Sequence, residues 1–265
     1  MCILVSVLIP VFNEQSSVSR ALSSVLGQTY RDFEVLVVDN ASTDDTTSIV
    51  SSFSDKRIRL IRKPTNSGIV ASLNLGLSLA RGEYVARLDG DDVARPERLA
   101  KQVAWMDGHP DVGLVGSWAM LHDLAHHKDQ ICAPPACHKE LVAYMHHENP
   151  FIHSSVLFRT GLARQLGGYV DTYRWSEDYA LWILMASHMQ VANIPEVLVE
   201  RYENNNSSMR PIYAGFSRRR RYASLLRLQL QAAHRLGWTW SAPIVMARTG
   251  LLWLVGWPGG SRRRP

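Results

Sequence analysis

Asp89-Gly90-Asp91-Asp92 packs three carboxylates into four residues. Side chains this close repel one another, and an ordinary turn needs one of them at most. A divalent cation removes the repulsion, and hard cations such as Mg2+ or Mn2+ favour carboxylate oxygen. Gly90 lets the backbone bend so that Asp89 and Asp91 can face one point. The same residues could instead form a solvated acidic turn, with Asp91 or Asp92 serving the dipole of a following helix.

The flanking residues say what must position that turn. Tyr84, Val85, Ala86 and Leu88 read as a buried strand that ends at it. Pro96 suits the first residue of a helix running through Leu99 and Val103 to Met106. Upstream, Val5 to Val11 predicts a strand followed by the polar turn Phe12-Asn13-Glu14, then a helix carrying Val18, Leu22, Val25 and Leu26 and stopped by Gly27. Phe33 to Asp39 predicts a second buried strand, followed by a turn and cap over 40–46 and a helix through Ile49 and Val50. Ile58 to Ile61 is a shorter third strand, and Asn66-Ser67-Gly68 opens a helix from Ile69 to Ala80. Strand–loop–helix units with near-continuous apolar strands predict a parallel sheet covered by helices on both faces. Ligands of such sheets bind at the C-terminal strand edge, where Asn13, Glu14, Asp39, Asp89 and Asp91 all fall. The chain has neither a G-x-G-x-x-G fingerprint nor a G-x-x-x-x-G-K-[ST] phosphate loop, which argues against dehydrogenase and ATPase readings.

Four segments in this order resemble the nucleotide-binding half of a family 2 glycosyltransferase with the GT-A fold. They are Val7 to Glu14, Val37 to Asp44, Asn66-Ser67-Gly68 with Asn74-Leu75-Gly76, and Asp89 to Asp92, within residues 4–107. The resemblance implies a mixed, mostly parallel α/β sheet and an inverting, metal-dependent transfer from a nucleotide-diphosphate sugar. It places Pro10, Phe12, Asn13, Glu14, Asp39, Asn66 and Gly68 at the donor, Asp89 and Gly90 at its sugar or ribose side, and Asp91 at a Mn2+ or Mg2+ ion. Further on, Asn149 to Arg159 looks like the family's acceptor-side strand, with His153 lining the acceptor or, alternatively, a satisfied core histidine. In Trp175-Ser176-Glu177-Asp178 the resemblance makes Glu177 and Asp178 the catalytic acidic pair, Asp178 the general base, and puts Trp175 on the acceptor side. The alternative is a helix capped by Ser176 with acids in its first turn. A helix N-terminus depresses a carboxylate pKa, so Asp178 is expected to be ionised at neutral pH. Val191 to Tyr202 predicts two short closing strands. The His that often follows in the family is absent, and Arg201 or the Asn run after it could substitute.

The 265 residues, 46% apolar and 20% charged, suffice for one large domain or two small ones. The expected division is a catalytic domain over 1–210, with halves 1–107 and 108–210, and a basic helical extension over 211–265. Three cysteines make an unlikely disulfide framework and fit a reducing cytosol. The apolar start lacks a basic n-region and reads as a strand, not a signal peptide. His122, His126, His127, Cys132, Cys137 and His138 follow no standard zinc spacing, so 118–150 reads as an irregular acceptor-side loop. The net charge of +5 hides an asymmetry: eleven Arg and no acid follow Glu203, leaving 18 basic against 24 acidic residues before it. Basic blocks flanking Trp-rich segments too short to span suit the headgroup layer of an anionic membrane at the inner face of the plasma membrane. Helices packed on the body are the alternative, and no nucleic-acid motif supports that third use of the charge. A lipid-linked or other glycan acceptor follows from the membrane reading. A sugar-1-phosphate nucleotidyltransferase would carry a Gly-rich basic loop after the first strand, absent here, and a non-catalytic binding protein remains the other rival.

Overall fold

Every residue of β1 (Val5–Val11) and β2 (Phe33–Asp39) is buried, because helices cover both faces of the sheet they belong to. The structure is a computed structural model that describes residues 4–145, 148–173 and 176–203, with Leu228, Leu230 and Arg235 beyond them. After β1 come α1 (Val18–Leu26), β2, α2 (Thr46–Ser51), β3 (Ile58–Arg62), α3 (Ile69–Leu79), β4 (Tyr84–Arg87), β5 (Val93–Ala94) and α4 (Arg98–Gly108). The second half adds β6 (Val112–Asp123), β7 (Lys128–Cys132), α5 (His138–Tyr144), β8 (Leu157–Arg159), α6 (Thr160–Gln165), α7 (Glu177–Ala186) and β9 (Gln190–Glu203).

The sheet order is β3-β2-β1-β4-β8-β6-β9-β5, with β7 paired onto β6. β1 to β4 run parallel, β8 lies antiparallel between β4 and β6, and β9 runs parallel to β6. Strand alternation divides the interior in two. Val5, Val7, Ile9 and Val11 pack with Leu22 of α1 and Leu99 and Val103 of α4. Leu8, Leu36 and Val38 point the other way, towards Leu73 of α3 and Trp182 of α7. Gly76 permits that second layer, since a Cβ there would lie 2.1 Å from a Leu8 methyl.

Two features differ from the sequence reading. The closing segment is one strand, not two: between Ser117↔Ile194 and Trp118↔Val197 the register shifts, and a bulge absorbs Pro195 and Glu196. Much of the expected irregular loop over 118–150 is the β6–β7 hairpin, paired from Ala119↔Cys132 to Asp123↔Lys128. The Gly167-Gly168-Tyr169 corner is pinned: Asn74 Nδ2 donates to the Tyr169 carbonyl at 2.7 Å and its Oδ1 accepts from Tyr169 N at 2.9 Å. Leu228 lies past residue 210, yet it is helical and only 1% exposed within the second core. The rest of the basic extension, including its Trp-rich segments, lies outside the described residues, as does Trp175. No described helix is long and apolar enough to cross a membrane.

Candidate active site

The loops leaving β1 and β2 are laced together. Asn13, at positive φ, accepts from Thr43 N at 2.9 Å and donates its own N–H to Ser42 Oγ at 3.0 Å. Buried Asp39 accepts from Ser42 N at 3.1 Å, and Glu14 N donates to Thr46 Oγ1 at 2.8 Å. Asn40 extends the lacing to the next loop by donating to Asn66 Oδ1 at 2.7 Å. Gly68, at φ 85°, has open space where a Cβ would stand and starts α3. Gly90 leaves no such space: its Cβ would meet Val11 Cγ1 at 3.0 Å and Glu14 Cγ at 3.3 Å. The acidic turn therefore lies directly against the β1 loop. Pro10 is buried at the end of β1 and Phe12 is half-buried beside it.

One carboxylate oxygen from each of Asp89, Asp91 and Asp92 lies within 4.8 Å of the others, the one such grouping among the described residues that could share a metal. Their environments differ. Asp89 is ion-paired with Arg87, a guanidinium only 2% exposed at the end of β4. Ser154 Oγ also donates to Asp89 Oδ2 at 2.8 Å while accepting from Asp89 N at 3.1 Å. Burial opposes the charge of Asp89, but Arg87 prevails and holds the carboxyl well below its usual range. A third of the Asp89 side chain is exposed, so this direction rests on the buried partner.

For the other two acids burial and repulsion outweigh what support they have. Burial, then Asp89, Asp92 and Glu14, push Asp91 up to about 8. Burial and Asp89 push Asp92 up to about 6, against the pull of Arg201, whose Nε stands 3.6 Å from Asp92 Oδ2. Asp92 Oδ2 is buried and has no hydrogen-bond partner. An orphaned buried carboxylate oxygen beside two more carboxylates fits a hard divalent cation better than it fits a capping turn. Arg98 lies beneath: fully buried, it donates to the carbonyls of Arg87 at 2.8 Å and Val156 at 3.1 Å. Burial, then Arg87, bring Arg98 down to about 9.

The second-half residues approach the same turn from the other side of Arg87. His153 and Ser154 share a 3-10 turn that leads into β8, which pairs with β4. His153 Nε2 is 3.3 Å from the Tyr169 hydroxyl, and its ring meets Trp182 edge-on at 5.9 Å. Burial and then Arg87 lower its pKa well below the ordinary value, so His153 is a neutral imidazole. It is packed among aromatics and also lies close to Asp89. Glu177 and Asp178 begin α7. Glu177 is buried; the half-buried Asp178 accepts from Tyr179 N at 2.7 Å and Asn149 Nδ2 at 2.8 Å. The sequence reading expected the helix start to depress the pKa of Asp178. Burial instead raises it, outweighing the Tyr179 amide, Arg87 and Asn149.

Comparison with known proteins gives this arrangement a family. The profile described as Glycosyl transferase family 2 matches residues 6–123. EpsE of Bacillus subtilis, named as a glycosyltransferase, is 32% identical over 212 residues, 78% of this chain and 75% of that protein. The chain belongs to glycosyltransferase family 2. AmsE of Erwinia amylovora, the amylovoran biosynthesis glycosyltransferase, is 31% identical over 200 residues, 74% of each chain. Among solved structures, S. aureus TarS in complex with UDP-GlcNAc superposes with a TM-score of 0.75 at 21% identity, over 96% of this chain and 76% of that one. That likeness shows the GT-A fold.

Within this glycosyltransferase, Glu14, Asp39, Asn66, Gly68 and Asp89 to Asp92 share one strand edge, with His153 and Asp178 across Arg87. Sequence reasoning passed over Arg87, Arg98, Ser154 and Asn149. A charged residue in an apolar strand two positions before the acidic turn was the available signal for Arg87. Arg98 sits in an exposed-looking helix start, and nothing local marks it.

Proposed function

We propose that this chain moves a sugar, with inversion, from a nucleoside-diphosphate donor, most simply UDP-linked, to a hydroxyl of a glycan or lipid-linked acceptor in cell-surface polysaccharide synthesis. One observation carries the reading. Acids from three parallel strand ends meet at one edge, and a buried guanidinium separates them from a carboxylate of raised pKa. Pro10, Phe12, Asn13, Glu14 and Asp39 border the nucleotide, with Asn66 and Gly68 at the loop after β3. Asp89, fixed by Arg87 and Ser154, orients the sugar or ribose. Asp91, with Asp92 beside it, would hold Mn2+ or Mg2+. When bound, the cation supplies positive charge to the leaving diphosphate.

Asp178 takes the proton from the attacking hydroxyl. A base is most effective when its pKa approaches working pH, and burial moves Asp178 in that direction. Asn149 and the Tyr179 amide fix the carboxylate's orientation, and Glu177 adds negative charge behind it. His153, neutral, can accept or donate a hydrogen bond to the acceptor, with Trp175 as the expected second contact. The name of AmsE supports a polysaccharide product, and the UDP-GlcNAc complex of TarS supports a UDP-sugar.

Incubation of the full chain with a panel of nucleotide sugars and Mn2+ should release nucleoside diphosphate from one or two of them. Release from none, with or without lipid-linked acceptors, would defeat the reading. Peripheral contact of the basic extension with the inner face of the plasma membrane belongs to the same proposal. Arg218 to Arg221 should hold the protein on anionic liposomes, each contributing about 1 kcal/mol.

A further inference from the structure

Arg20 and Ser24, four residues apart on one face of α1, and Gln28 just beyond its end line the segment that follows the acidic turn. Arg20 Nη2 donates to the Asp91 carbonyl at 2.9 Å, Ser24 Oγ accepts from Ala94 N at 3.1 Å, and Gln28 Nε2 donates to the Arg95 carbonyl at 2.7 Å. Residues at this spacing lie on one side of a helix. Ser24 and Gln28 satisfy main-chain groups on the way into α4. Arg20 is exposed, and it grips the residue that carries the central carboxylate.

Arg20 has a second hold. Its guanidinium carbon lies 3.8 Å from the centroid of the Tyr202 ring on β9. That ring is itself fixed: its hydroxyl donates to Glu200 Oε2 at 3.1 Å, and it stacks at 4.7 Å on His122, its register partner on β6. His122 Nδ1 in turn meets Asp129 of β7 at 2.9 Å. Arg20 thus ties the acidic turn to the end of β9 and, through His122, to the β6–β7 hairpin.

We propose that Arg20 is a positioning residue for the metal-bearing turn. By holding the Asp91 peptide against the Tyr202 ring, it fixes the direction of a carboxylate that its neighbours repel. A planar guanidinium can donate in its plane and stack on an aromatic face at once, which an ammonium cannot do. The inference rests on the proposed cation role of Asp91.

The test uses the full chain and its R20A, R20K, Y202F and Y202L variants, with the R20A/Y202L double variant and D91N. Mn2+ affinity is read from the electron paramagnetic resonance of free Mn2+, and the metal KM and kcat from transfer assays. R20A and Y202L should each weaken Mn2+ binding about tenfold, the scale of supports that orient a metal ligand. R20K should lose several-fold, and Y202F, which keeps the ring, should stay within about twofold. The R20A/Y202L double variant should be no weaker than the worse single, because both break one contact. Unchanged Mn2+ affinity in R20A would overturn the proposal, as would losses that multiply in the double variant. D91N, measured alongside, separates the two levels. If D91N keeps Mn2+ binding, the metal assignment itself fails; if D91N loses it while R20A does not, only the role of Arg20 fails.

Discussion

Asp91→Asn should make the metal-free protein more stable while removing its response to metal. Asp91 moves from an ordinary 3.8 to about 8 on folding. At pH 7 the unfolded chain ionises it, whereas the folded chain must keep it mostly protonated. Three pH units at ~1.4 kcal/mol each set the penalty at ~4 kcal/mol. Asp91 is only partly buried, and solvent screens part of the repulsion, so about half of that, ~2 kcal/mol, is the expected gain. For a domain of this size that corresponds to a rise in Tm of about 4–8 °C. The sign fixes the pH window. A carboxyl whose folded pKa is raised costs nothing below its unfolded pKa, and its penalty grows as pH rises until the folded value is passed. Wild type and variant should therefore melt together near pH 4 in EDTA, separate as pH rises, and hold a constant gap above about pH 8. Thermal unfolding followed by circular dichroism measures this directly. Added Mn2+ should raise the Tm of the wild type and leave the variant where it was. A variant no more stable than wild type at pH 8 in EDTA would refute the claim that the turn is held together against its own charge.

Asp178→Asn should abolish transfer while nucleotide-sugar binding persists by calorimetry. Because burial raises the wild-type pKa, the acid limb of kcat should lie above pH 4; a limb at or below that value would move the base elsewhere. Arg87→Met leaves Asp89 without its buried cation and should cost ~2–3 kcal/mol in urea unfolding, discounted from the usual 3–5 because Asp89 is partly exposed. The double variant with Asp89→Asn should recover part of the loss, and equal losses in single and double variants would deny the pairing. Leu228→Ala should lose ~2–4 kcal/mol from a residue past the expected end of the catalytic domain, since it fills the second core. Unaltered stability would detach that residue from the body.

The elements legible in the sequence were those whose pattern comes from burial on both faces. β1, β2 and β4 appear as near-continuous apolar runs, and each ends in or leads into polar or acidic residues at the ligand edge. What escaped was set by partners distant in the chain. Only three residues of β8 pair with β4, and their insertion beside it has no local periodicity. Pro195 read as a strand break because the bulge that accommodates it is formed with β6. The acidic turn was visible, but the cations gathered around it were not. Arg20, Arg87, Arg98 and Arg201 come from four elements, and only the fold brings them together. The expected depression of Asp178 failed for a related reason. A helix start is a local feature, whereas burial is a property of the whole site and is the larger effect here.

β8 has one more consequence. All three of its residues pair with β4 and two of them, Leu157 and Phe158, with β6, so the two halves of the chain are rows of a single woven sheet. Swinging one portion away from the other would tear main-chain hydrogen bonds that no solvent reaches. Substrates must then be admitted and products let go by rearrangement of rim segments and side chains around a stationary floor. Donor specificity and turnover should for that reason respond to changes in the loops and leave the strands' register untouched.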